Sequence, residues 1–91
     1  MSRPVRSLPK DRAVGWPTVP AVDPVAEVAR RFAENVRAAI GDTSIRQIGI
    51  DTGVHHTTII KLLNGESWPD LETIAKLEIG LGVALWPGSQ S

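Results

Sequence analysis

Residues 44–65 read SIRQIGIDTGVHHTTIIKLLNG, and the order of residue types in this stretch decides the fold. Ser44 and Gln47 have the spacing of a capping box, in which the serine oxygen takes one orphan amide at a helix start and the glutamine reaches back to another. A helix is therefore expected from about Ile45. Ile45, Ile48 and Gly49 continue at helical spacing as far as Gly53, which can turn the backbone left-handed and end the helix without steric penalty. Val54 then plugs the crevice. Ile59, Leu62 and Leu63 recur at three- and four-residue intervals, the mark of a second short helix with one buried face, and Asn64-Gly65 closes it. The small Gly49 lies opposite the turn, where a bulky side chain would keep the two helices from crossing closely.

The other face of the second helix carries the chemistry. His56, Thr57, Thr58 and Lys61 point away from the apolar stripe, so that face presents hydrogen-bonding and cationic groups with almost no carboxylate. Such a surface suits the groove of a nucleic-acid duplex.

With these residues in order, the segment resembles the helix-turn-helix of the Cro/C1-type (XRE) family of phage and bacterial repressors, over about Phe32 to Pro87. From Gly65 the chain continues GESWPDLETIAKLEIGLGVALWP, similar to the family's continuation, where a Pro-Asp or Pro-Ser start leads to a further helix ending in Leu-Gly-Val. The resemblance implies an all-α, compact four- or five-helix lambda-repressor-like DNA-binding domain with an extended N-terminal arm. It also implies that His56, Thr57 and Lys61 read bases, while Ser44, Arg46, His55 and Asn64 hold phosphates and set register. The side chains suit these tasks: lysine donates to guanine O6 and N7, a threonine methyl packs on thymine methyl, and histidine donates to purine N7. Three positions depart from the family pattern. Ile45 replaces a phosphate-touching Gln, Leu63 replaces a Glu, and His55 replaces a Ser that caps the second helix better than imidazole does.

The function implied is sequence-specific regulation of transcription from a double-stranded DNA operator, of phage or prophage repressor type, by occupancy. No cofactor, metal or small-molecule ligand is called for. Homodimerisation is left open, with Val83, Leu85 and Trp86 as the patch that would carry it. Two rival readings remain: an antitoxin that binds a partner toxin and autoregulates, and a protein-interaction domain that has lost DNA binding.

Ten basic and ten acidic residues cancel along the 91, whereas a dedicated DNA-binding domain is often strongly basic. Distribution answers part of this. Residues 1–22 hold Arg3, Arg6, Lys10 and Arg12 against Asp11, and residues 64–91 hold Lys76 against Glu66, Asp70, Glu72 and Glu78. A basic end facing phosphates and an acidic end facing away are expected, with modest, salt-sensitive binding. Residues 1–22, with Pro4, Pro9, Pro17 and Pro20, are expected to form a flexible basic arm in which Arg3 and Arg6 are candidates for following the DNA; a solvated tail is the plainer alternative. Trp16 is a candidate for docking on the domain. The absence of cysteine and of any long apolar run fits the cytoplasm rather than a membrane or a disulfide-forming compartment.

The folded domain is expected over residues 23–87, with 88–91 as a disordered tail. Asp23-Pro24 opens its first helix, Gly41 ends it, and Val25, Val28, Ala29, Phe32, Val36, Ala39 and Ile40 fall on one face. Asp70 caps a last helix with the stripe Leu71, Ile74, Ala75, Leu77 and Leu81, ending at Gly82; Gly80 in its last turn is expected to make it fray or bend. Trp68 and Trp86 are expected to seal the core. Catalysis lacks its inventory: no serine or thiol nucleophile with an oriented base, no glycine-rich phosphate loop, and a His55-His56 pair whose side chains diverge by about 100 degrees on a helix.

Overall fold

Each helix begins where a side chain can take its orphan amides. In the computed structural model, which describes residues 7–88, the Asp23 carboxylate opens α1 (Pro24–Ile40) by accepting from the amides of Val25 at 2.8 Å and Ala26 at 3.1 Å. Ser44 opens α2 (Ile45–Thr52), His55 opens α3 (His56–Leu63) and Asp70 opens α4 (Leu71–Leu81) in the same way. Left-handed glycines end α2 at Gly53 and α4 at Gly82. The protein is all-α: its described residues contain these four helices and a 3₁₀ turn, Pro9–Arg12. Of the predicted capping box at Ser44 only half forms. The Ser44 hydroxyl accepts from Gln47 N at 3.1 Å, while the Gln47 amide instead donates to Asp51 at 2.8 Å, one turn on.

Helix α2 packs on α3 and α4, and α1 packs on the same two helices. The core where they meet consists of Phe32, Val36 and Ile40 from α1, Ile48 from α2, Val54 from the turn, Ile59, Leu62 and Leu63 from α3, Leu77 from α4, and Leu85 beyond it. Leu63 is thus an interior residue, which accounts for an apolar side chain where the pattern it resembles has a carboxylate. Ile45, the other departure, packs against the same core from its edge.

Helix α1 is buried on more than the predicted face. Ala26, Arg30 and Ala33 are buried, while Val25 and Ala39, both expected inside, are exposed. The cause is the N-terminal segment: residues 9–17, which fall in the stretch 1–22 expected as a flexible arm ahead of a domain beginning at residue 23, lie against α1 and α3. The 3₁₀ turn packs on α1, Pro9 and Ala13 are buried, and the Arg30 guanidinium donates to the Pro17 carbonyl at 3.1 Å. Trp16 does dock: its indole nitrogen donates to the Leu63 carbonyl at 2.9 Å. Arg3 and Arg6, the arm residues expected to follow DNA, and most of the tail 88–91 lie outside the described residues.

Helix α4 is less buried than its stripe predicts. Leu77 is fully buried and Ile74 and Leu81 pack at the core's edge, but Leu71 is 84% exposed and Ala75 is exposed too, as is Ile79, outside the stripe, at 82%. Trp86, expected to seal the core, is 51% exposed, and Leu85 takes the interior place next to it. The Glu78 carboxylate holds this exit by accepting from the amides of Trp86 at 2.9 Å and Leu85 at 2.7 Å, and these two bonds keep its carboxyl below the usual carboxylate range. Trp68 is half-buried and donates to the Ser7 carbonyl at 2.8 Å, with the Arg12 guanidinium 4.9 Å above its ring. Among the described residues no helix is long and apolar enough to cross a membrane.

Candidate nucleic-acid interface

The turn between α2 and α3 is held from within. The Thr52 hydroxyl donates back to the Ile48 carbonyl at 2.7 Å and accepts from the Val54 amide at 3.2 Å, so a single buried oxygen ties the end of α2 to the residue that plugs the crevice. Gly49 allows the approach. A Cβ there would lie 2.9 Å from the Val54 carbonyl oxygen, too close for alanine without movement of the backbone.

His55 then starts α3 outside helical geometry, with φ −59° and ψ 137°, and its Nδ1 accepts from the Thr57 amide at 3.2 Å. Because His55 is the cap and not a helical residue, the expected divergence of the two imidazoles does not hold. The His55 and His56 rings stack, with centroids 4.5 Å apart and planes at 26°. Among the described residues no group of three or more metal-ligating side chains gathers.

The predicted site residues fall into three places. Arg46, His55 and His56 line one open recess between α2 and α3, together with the exposed Ile50. Thr57, Lys61 and Asn64 form an exposed row along the outside of α3, following the three- to four-residue spacing of a helix face. Ser44 is exposed at the start of α2 with its hydroxyl engaged as the cap. His56 is half-buried on the α2 side, so it does not share a face with Lys61. Thr58, read as outward-facing, is also half-buried. No described residue forms an ion pair with Lys61 or Arg46. The acidic residues of α4 are occupied elsewhere: Glu72 meets Lys76 at 3.5 Å, and Glu78 caps the chain beyond α4.

Two short helices crossing at a glycine turn, with a buried inner row on the second and an exposed polar outer row, are the arrangement that inserts a helix into the major groove. The family model described as Helix-turn-helix matches residues 41–85. This segment belongs to that family, the helix-turn-helix of Cro/C1 type. A comparison with curated proteins found no match. The match supports a DNA-binding helix-turn-helix regulator by class. Two residues near the interface escaped sequence reasoning. Ile60 is exposed in the Thr57–Lys61 row, and helical spacing from Thr57 places it there, but the sequence reading named it on neither face. Thr52 carries no local sign of its role, because a buried threonine bridging a turn reads like any other helix-end hydroxyl.

Proposed function

We propose that this chain is a sequence-specific regulator of transcription of phage or prophage repressor type, working in the cytoplasm by occupying a double-stranded DNA operator. The observation that carries this reading is the outer row of α3, where Thr57, Lys61 and Asn64 are exposed beside an apolar side chain, Ile60, that suits thymine methyl groups. In this reading Thr57 and Lys61 read bases from the row, and His56 reaches the groove from the α2 side. Ser44, Arg46, His55 and Asn64 flank them on phosphates. With no net charge, affinity comes from few phosphate contacts and falls steeply with salt.

Selection of binding sites from random duplex with the wild type and with Lys61→Ala tests this. The variant is expected to relax preference at one base position, at a loss of roughly 1–3 kcal/mol of discrimination. Uniform weakening would move Lys61 to a phosphate. An unchanged profile would remove α3 from the groove.

A second proposal concerns assembly, and rests on α4. Leu71, Ala75 and Ile79 are all exposed and recur every four residues; in an antiparallel pair about a two-fold axis, Leu71 of one copy meets Ile79 of the other, with Ala75 at the axis. This face replaces the expected Val83, Leu85 and Trp86 patch, since Leu85 is buried. Sedimentation at high protein concentration should show a dimer that Leu71→Glu converts to monomer. A monomeric wild type would discard the pairing.

A further inference from the structure

The last carbonyl of α3 and that of Gly65, two residues beyond it, are satisfied from outside the helix-turn-helix. The Leu63 carbonyl accepts from the Trp16 indole at 2.9 Å and from the Arg37 guanidinium at 3.4 Å, and the Gly65 carbonyl accepts from the Lys10 amide at 3.0 Å. Contact is close enough to require glycine. A Cβ on Gly65 would lie 2.7 Å from Trp16 Cε2 and 2.9 Å from Lys10 Cβ, and its φ of 70° is left-handed besides. The segment that brings these donors is itself tied down at both ends. Arg30, 7% exposed, holds the Pro17 carbonyl, and Trp68 holds the Ser7 carbonyl. None of residues 7–17 lies within the matched residues 41–85.

We propose that residues 8–17 clamp the exit of the recognition helix and that Trp16 is a positioning residue for base reading, a proposal that rests on the DNA-binding function above. Helix ends fray because their last carbonyls lack partners. In this chain the last turn of α3 presents Lys61 and Asn64. The amides of Asn64 and Glu66 bond to the carbonyls of Ile60 at 3.0 Å and Lys61 at 2.8 Å, so loosening the exit loosens the backbone that aims both side chains. Base contacts need placement to about half an ångström. Phosphate attraction is far less directional and survives such loosening. The clamp therefore governs discrimination more than general affinity.

The test uses the full chain, a duplex selected by the wild type and a scrambled duplex, with Trp16→Phe, which keeps a ring and loses the donor, and Trp16→Ala. The ratio of selected to scrambled affinity should fall about threefold for phenylalanine and about tenfold for alanine, with scrambled-duplex affinity retained. The amides of Asn64, Gly65 and Glu66 should exchange hydrogen faster in both variants. An unchanged ratio in a folded variant, or equal weakening on both duplexes, overturns the clamp. If the alanine variant does not fold, the phenylalanine variant decides. A wild type that fails to discriminate overturns the regulator reading itself and the clamp with it, whereas a discriminating wild type with equally discriminating variants overturns the clamp alone.

Discussion

Arg30→Ala is expected to destabilise the protein by about 3–5 kcal/mol, because it leaves buried partners without their charge. The Arg30 guanidinium is almost fully enclosed and donates from Nε and Nη2 to the two carboxylate oxygens of Glu27, at 2.7 Å each. Its Nη1 donates to the Pro17 carbonyl and to Glu34. Removal strands the Pro17 carbonyl and leaves Glu27 with only the Arg31 guanidinium at 2.9 Å and the Ala21 amide at 2.7 Å. The effect joins the N-terminal segment to α1, so its loss should also release that segment. Urea unfolding at neutral pH measures it, and wild-type stability in the variant would refute the account.

The same cluster makes a pH prediction. Arg30 first, with burial opposing and the Ala21 amide and Arg31 assisting, lowers the Glu27 carboxyl from 4.5 to about 2. In turn Glu27 pushes the Arg30 guanidinium further up. A carboxyl whose folded value lies below its unfolded value binds fewer protons when folded, so its stabilisation is complete above about pH 4.5 and fades as the pH falls towards 2. Stability of the wild type should decline across that window by roughly 2–3 kcal/mol more than stability of Glu27→Gln, which has no proton to gain there.

Gly80→Ala is the second large effect, and its sign separates local preference from tertiary contact. In an isolated helix the change would stabilise by about 1 kcal/mol. In this protein a Cβ at Gly80 would lie 2.7 Å from Thr52 Cα and 3.0 Å from the Asp51 carbonyl oxygen, both backbone atoms of α2. Neither yields without moving a helix. We expect alanine to destabilise by about 2 kcal/mol net and leucine by more than about 3 kcal/mol. Because the contact falls on Thr52, whose hydroxyl ties the turn to α3, DNA affinity should drop along with the melting temperature. A rise in melting temperature for Gly80→Ala would show that α4 does not press on α2 in this way. Gly80 is thus a point of close approach, where the sequence reading expected only a frayed turn.

The features legible in the sequence are those whose physics closes within about four residues. Asp23, Ser44 and Asp70 take amides two or three positions ahead of them, and Gly53 and Gly82 turn the chain out of a helix. Periodicity of 3.6 residues sends Ile59, Leu62 and Leu63 inward and leaves Thr57 and Lys61 outside. Such signals were enough for the helices, the turn and the outer row of α3. What they lacked was any account of partners distant along the chain. Trp16 reaches Leu63 across 47 positions and Trp68 reaches Ser7 across 61, so residues 7–17 of a proline-rich stretch that looks like a free arm lie against the helices. Arg30 looks like one more charge on a solvated helix face until that stretch covers it. On α4, apolar type predicted burial of Leu71, but no second layer among the described residues covers that end of the helix. Amino-acid order alone determined which segments are helical and which row of α3 is polar, because hydrogen bonds and side-chain spacing along one helix are local. Tertiary structure decided what covers α1, what secures the exit of α3 and which apolar rows stay exposed, because burial depends on which surfaces the folded chain brings together.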